Sequence, residues 1–265
     1  MEMAPSYNYF LVALSYSISV FGSYVGLQLV RGMRASDDQS RLKWVITAAL
    51  ALGGGAIWAM HFIGMLAYET SMEVVYTPSL TFMSLALAVI VVGAGLFFLS
   101  MHRTSIVHLL IAGTLTGLGV ATMHYTGMEA MVMAADMSYD STLVGISIVI
   151  AVVAATAALW LAFNLQGNAQ MIGASFIMGL AVCGMHYTGM AAMTMTHNNS
   201  QIAIESTIAP MTLGLLIFCF SMLLLVLCLI VTLTQLNRRM YAELEAEDDE
   251  DSEDGRVAGF NSTAA

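Results

Sequence analysis

Seven stretches of the chain, roughly 7–30, 43–67, 79–99, 106–131, 142–163, 170–193 and 209–233, are almost unbroken runs of apolar residues separated by short polar links. A helix rises 1.5 Å per residue, so a run of about 20 residues crosses about 30 Å of hydrocarbon. The strict apolar–polar alternation of a membrane barrel strand is absent. The pattern predicts an all-α integral membrane protein of seven transmembrane helices.

Composition agrees. Of 265 residues, 58% are hydrophobic and 10% charged, with a mean hydropathy of +0.80. A soluble domain carries about 25% charged residues to cover its surface. The first run has no basic residues before it, only Glu2, and is long for a cleaved leader, so it reads as a retained helix. Cys183, Cys219 and Cys228 all fall within spans without a CxxC spacing and read as packing residues.

The formal net charge is -10, and much of it sits in one run from Glu243 to Asp254. Such a run repels itself and lacks apolar area to bury, so residues 240–265 read as an acidic, disordered tail after a membrane domain of 1–239. It also argues against nucleic acid as a partner. The basic residues mark sidedness. Arg31, Arg34, Arg41 and Lys43 flank the first link, Arg103 lies in the third, and Arg238 and Arg239 follow the seventh span. The second, fourth and sixth links carry Glu69, Glu73, Asp136, Asp140 and Glu205 instead. Basic links stay in the cytoplasm, which puts the N-terminus outside and the C-terminus inside.

Three alternate spans carry nearly one hexapeptide: M-H-F-I-G-M at 60–65, then M-H-Y-T-G-M at 123–128 and at 185–190. The regular period indicates three two-helix repeats after helix 1, which stands outside the pattern. The motif spans run in parallel, so His61, His124 and His186 share one depth near the expected outer face. Residues four apart share a helix face, which aligns Met65, Met128 and Met190 with those histidines. Tyr68, Met131 and Met193 follow near the same stripe. Gly54, Gly117 and Gly179, seven residues before each histidine, are expected to tighten the bundle, and Gly64, Gly127 and Gly189 to relieve crowding beside the imidazoles.

An imidazole in a membrane must be hydrogen-bonded, line a water cavity or bind something. His102, His108 and His197 lie at or near links and need no such account. Thioether and imidazole donors together form a soft ligand set that suits Cu(I). On this reading copper is the metal, with His61, Met65, His124, Met128, His186 and Met190 on the shared faces, while Met60, Met123 and Met185 point about 100° away, to serve a second contact or to pack. The alternatives are haem iron, zinc, or no metal and a buried hydrogen-bond network. Tyr125, Tyr187 and Glu129 are candidates to orient the ligands from outside the metal.

These three hexapeptides on alternate helices of a seven-span domain resemble the bacterial MHYT family over about residues 7–235. The resemblance implies a sensor of the bacterial cytoplasmic membrane that binds copper through Met and His and responds to oxygen, carbon monoxide or nitric oxide, and it implicates Met60, His61 and Met65, then Met123, His124, Tyr125 and Met128, then Met185, His186, Tyr187 and Met190. The first copy departs from the pattern by Phe62 and Ile63. Family members often continue into a signalling enzyme; 26 residues follow Arg239 here, nine of them acidic, so the expectation is a separate cytoplasmic signalling partner. H-E-x-x-H, G-x-S-x-G and G-x-G-x-x-G are all missing, so no enzyme is expected. The rival readings are copper transport or handling and a non-catalytic structural partner.

Overall fold

The structure, a computed structural model, describes residues 6–36, 38–70, 72–102, 105–165, 167–198 and 207–262. Seven helices long and apolar enough to cross a membrane stand where the hydrophobic runs put them. They are α1 (Tyr9–Arg34), α2 (Gln39–Leu66), α3 (Pro78–Met101), α4 (Ile106–Met128), α5 (Ser141–Asn164), α6 (Asn168–Ala191) and the span Pro210–Thr234 of α7 (Pro210–Ser262). Lipid supplies no partner for backbone N–H and C=O groups, so an apolar run crosses it only by closing those bonds within itself. Polar residues set the helix starts. Asn8 Oδ1 accepts from the backbone N–H groups of Phe10 and Leu11 at 3.1 and 3.3 Å, and Asp140 Oδ1 from Thr142 and Leu143 at 2.8 and 3.0 Å.

Residues up to Cys228 form one compact unit and those from Leu229 a second. In the second unit the backbone stays helical through the acidic run to Ser262, where the composition had suggested disorder. Its glutamates, alanines and leucine are good helix formers. Arg103 and Glu205, two of the link charges, lie outside the described residues.

In the first unit, α1 to α6 pack as a closed ring in chain order, with α6 returning to α1. The motif helices α2, α4 and α6 also touch one another across the middle. Small residues permit the close crossings. A Cβ on Gly22 of α1 would come within 2.7 Å of Ala56 Cα on α2, and one on Gly117 of α4 would meet the Val152 backbone of α5. Outward faces carry Phe82, Ile90, Leu115, Val149 and Leu180, exposed as lipid contact requires.

Helix α1 precedes the three repeats in sequence, yet in space it belongs to the ring. It takes the place beside α6 that the returning helix of the third repeat would fill. The Tyr16 hydroxyl donates to the Phe176 carbonyl at 3.3 Å, and the Ser15 and Tyr187 hydroxyls are 3.1 Å apart. The helix left outside is α7, whose Leu225 lies where a Cβ on Gly55 of α2 would go. Enclosed by the ring on one side and α7 on the other, α2 is the most buried span, at 78% against 22% for α7.

Two features break or decorate the threefold plan. The middle of α2, Leu50–Trp58, is π-helical and contains Gly53, Gly54 and Gly55. At the motif end, three two-stranded antiparallel ribbons cap the bundle: β1 (Ser6–Tyr7) with β2 (Tyr68–Glu69), β3 (Val75–Tyr76) with β4 (Met131–Val132), and β5 (Ala135–Tyr139) with β6 (Met193–His197). Each pairs the strand leaving a motif helix with the strand entering α1, α3 or α5.

Candidate metal centre

The three motif histidines converge. His61, His124 and His186 are 1%, 0% and 0% exposed, and their Nδ1 atoms form a triangle with sides of 3.0 Å (His124–His61), 3.1 Å (His61–His186) and 3.4 Å (His186–His124). Among the described His, Cys, Asp and Glu residues these three make the one group able to surround a metal ion.

The motif glycines make room for this. A Cβ on Gly64 would collide with the ring of His186, one on Gly127 with that of His61, and one on Gly189 with that of His124. Each glycine stands three residues after its own histidine but accommodates the imidazole of a different helix. The Nε2 edges are what press against the glycines, so the Nδ1 edges are the ones that meet at the centre.

Hydrogen-bond arithmetic shows what the cluster lacks. A neutral imidazole has one N–H and one lone pair. With every proton on Nε2, three Nδ1 lone pairs face one another with no hydrogen between them. Moving one proton to an Nδ1 serves the centre in part and leaves an Nε2 lone pair buried. All three Nε2 atoms are without a hydrogen-bond partner, a lack that an ion at the centre leaves unchanged, and no distribution of protons pairs all three Nδ1 atoms with one another. A cation at the centre accepts three lone pairs at once. The circumcentre of the Nδ1 triangle lies about 1.8 Å from each nitrogen, about two tenths short of the usual metal–imidazole distance of about 2.0 Å. The three histidines therefore fit a metal ion.

The other sequence candidates sort around this triangle. Met60, Met65, Met123, Met128, Met185 and Met190 are all buried, at 3% exposure or less. Helical spacing places Met65, Met128 and Met190 one turn beyond the histidines on the same faces. Tyr125 and Tyr187 do not hydrogen-bond to a histidine. Their hydroxyls pair with Ser147 of α5 at 2.7 Å and Ser15 of α1 at 3.1 Å. Their rings lie edge-on to the preceding imidazoles at 4.8 and 4.7 Å, as Phe62 does at 4.9 Å. Glu129 is exposed at the C-cap of α4, outside the buried cluster. Gly117 and Gly179 meet α5 and α1 closely, as expected of tightening residues, but Gly54 finds only ordinary contact with Leu85, Val89 and Leu224.

The cap supplies residues that sequence reasoning passed over. Tyr7, Tyr76 and Tyr139 enter from β1, β3 and β5, and their rings stand 5.6 Å from Tyr187, 6.2 Å from Phe62 and 5.9 Å from Tyr125. Three aromatic pairs thus lead from the ribbons to the three histidines. Burial, then the neighbouring Tyr68 and Tyr187, push the Tyr7 hydroxyl up to about 12. Burial, then Glu129 and Tyr125, do the same for Tyr139. The signal was in the sequence: Tyr76 and Tyr139 are one motif period apart, as are Ser84 and Ser147.

Known proteins resemble this chain in sequence. The family model described as "Bacterial signalling protein N terminal repeat", MHYT, matches residues 54–113, 117–175 and 179–242. The chain is 40% identical over 195 residues to the bifunctional diguanylate cyclase/cyclic di-GMP phosphodiesterase MucR of Pseudomonas aeruginosa, covering 72% of this chain and 28% of that protein. It is 33% identical over 240 residues to the signaling protein YkoW of Bacillus subtilis, covering 85% of this chain and 29% of the relative. With the cyclic di-GMP phosphodiesterase NbdA of Pseudomonas aeruginosa it shares 34% over 197 residues, 72% of this chain and 25% of the relative. The chain spans under a third of the length of these curated relatives. No solved structure matches.

Proposed function

We propose that this chain, which belongs to the MHYT family and is a multi-pass sensor protein of the bacterial inner membrane, holds one copper ion between His61, His124 and His186 and reports on redox state or on oxygen, carbon monoxide or nitric oxide. The observation that carries the reading is the buried Nδ1 triangle, which no arrangement of protons satisfies and a cation does.

The charge of the ion favours copper in its reduced state. All three histidines are neutral ligands, and among the described residues no carboxylate joins them. The cost of burying an ion grows with the square of its charge, so a dication among neutral ligands costs about fourfold more than a monocation. Thioethers are soft donors that suit Cu(I), and Met65, Met128 and Met190 stand buried one turn away to supply a further ligand. Zinc gains little from them, and haem needs more room than three touching imidazoles leave. The metal would supply the redox and ligand-binding chemistry. The protein supplies the fixed, water-free triangle and the coupling of three helices through it.

With N-terminus outside, the triangle lies near the outer face, and the signal passes along the motif helices to a cytoplasmic signalling protein. The test is to load the purified protein with copper under reducing conditions and titrate it with oxygen, carbon monoxide and nitric oxide. The expected result is a change in the copper spectrum with one or more of them, accompanied by a change in the fluorescence of Trp44, Trp58 and Trp160 as the helices repack. A loaded protein whose spectrum and fluorescence ignore all three gases and ferricyanide would overturn the sensor reading.

A further inference from the structure

The histidine triangle is closed to solvent, so an ion needs a route to reach it. The three ribbons that cap the motif end are not alike. Each has one pair on the bundle side: Tyr7 with Tyr68, Tyr76 with Met131, and Tyr139 with Met193. Ribbons β1–β2 and β3–β4 stop within two pairs, while β5–β6 runs for five. Successive strand residues point to opposite faces, so the next inward pair of the long ribbon is Met137 with Met195. Both are half-buried, whereas Asp136, Ser138, Thr194 and Thr196 on the opposite face are exposed. Residues directly opposite in an antiparallel pair have Cβ atoms about 5 Å apart, which lets one ion touch both thioethers.

We propose that the inward face of ribbon β5–β6 is a reception site for a soft monovalent cation of the Cu(I) class, which passes from Met137 and Met195 through Met193 and Met190 to the histidines. Burial deepens along that order. Met137 and Met195 are half-buried, Met193 is 7% exposed and Met190 1%. The steps are short: two strand residues, about 7 Å, from Met195 to Met193, then about one helical turn to Met190 and one more to His186. Strands favour β-branched and aromatic side chains, yet this inward face carries unbranched methionine at 137, 193 and 195. Thioethers take soft ions and are poor ligands for Na⁺, Mg²⁺ and Ca²⁺, and Asp136, which would attract those, is on the other face. Exchanging one neutral soft donor for the next spares the ion a bare passage through the apolar interior. The inference rests on the copper reading for the ion's destination. Two thioethers hold it loosely, so the ribbon empties when free ion is removed and the copper retained is that of the triangle.

The test uses the full chain in lipid nanodiscs and has two arms. In the first, Ag(I), a redox-inert ion of the same charge and softness, is titrated while NMR follows isotope-labelled methionine methyl groups. Saturable shifts at Met137 and Met195 are expected, in the wild type and in the triple His61→Ala, His124→Ala, His186→Ala variant alike. In the second, stopped-flow mixing follows Cu(I) uptake from a coloured weak chelator. The double variant Met137→Leu, Met195→Leu keeps the packing volume, so its metal-free melting temperature and final copper content should match the wild type. Its uptake should be slower by about tenfold or more. Met195→Leu alone covers the case in which the double variant does not fold. Met171→Leu, a buried methionine near the far end of α6, is the control and should load at the wild-type rate. No Ag(I) shift at Met137 and Met195, or uptake at the wild-type rate in both leucine variants, would overturn the proposal. Ag(I) shifts at the ribbon with no copper retained by the histidines would leave the reception site standing and sink the metal reading of the triangle alone.

Discussion

The imidazole of His61 on α2 rests directly against the Cα of Gly127 on α4, in space that a methyl group would need. His124 has the same relation to Gly189, and His186 to Gly64. The glycine of each hexapeptide therefore serves the histidine of another copy, and the three motifs form one interlocked site. Gly127→Ala should displace His61, cost about 1–3 kcal/mol of stability by overpacking and abolish metal binding. Ala substitution at Gly145, where nothing lies within 4 Å of the added Cβ, is the control. Thermal unfolding in detergent and metal content measure both effects.

Metal should stabilise the native state more than any single contact does. At a free copper concentration 100 times the Kd, binding adds about 2.7 kcal/mol. The melting temperature of the wild-type protein should rise with Cu(I), and that of His124→Ala should not. A copper-dependent rise retained in His124→Ala would place the metal elsewhere.

The tyrosine hydroxyls of the motif have a structural task. Tyr125→Phe and Tyr187→Phe each remove a hydroxyl pair, with Ser147 or Ser15, worth about 1 kcal/mol. Both variants should melt earlier and still bind metal at full stoichiometry. That outcome is consistent with Phe62, which fills the same place in the first copy without a hydroxyl.

The ribbon cap sets an alkaline limit. Tyr7 and Tyr139 have hydroxyls pushed up to about 12 from an ordinary value of 10. A raised acid keeps its full contribution to stability below pH 10 and loses it as pH climbs through 12. Tyrosinate absorbance should therefore show late-titrating groups between pH 10 and 12, fewer by one in Tyr139→Phe. Ionisation of all the tyrosines together near pH 10 would contradict the packed cap.

Much of this was legible beforehand, and what was not has physical causes. The seven spans, the common depth of His61, His124 and His186 and the roominess of Gly64, Gly127 and Gly189 follow from hydropathy, topology and helical spacing. The partner of α6 does not. The third repeat is followed in sequence by α7, and only packing reveals that α1 takes the ring position. Gly54 was misread for a local reason. The i→i+5 bonding of Leu50–Trp58 adds a residue to each turn and carries Gly54 off the face that Gly117 and Gly179 occupy. The hydrogen-bonding of Tyr125 and Tyr187 depended on serines of α5 and α1 that carry no motif of their own.

Copper K-edge X-ray absorption with elemental analysis, on protein loaded with Cu(I) and on the triple His61→Ala, His124→Ala, His186→Ala variant beside it, tests the central claim most directly. The account predicts one copper per chain with nitrogen scatterers at about 2.0 Å, a sulfur scatterer where a methionine joins them, and no bound copper in the variant. Wild-type protein that binds no copper, or a variant that binds it equally well, would contradict it.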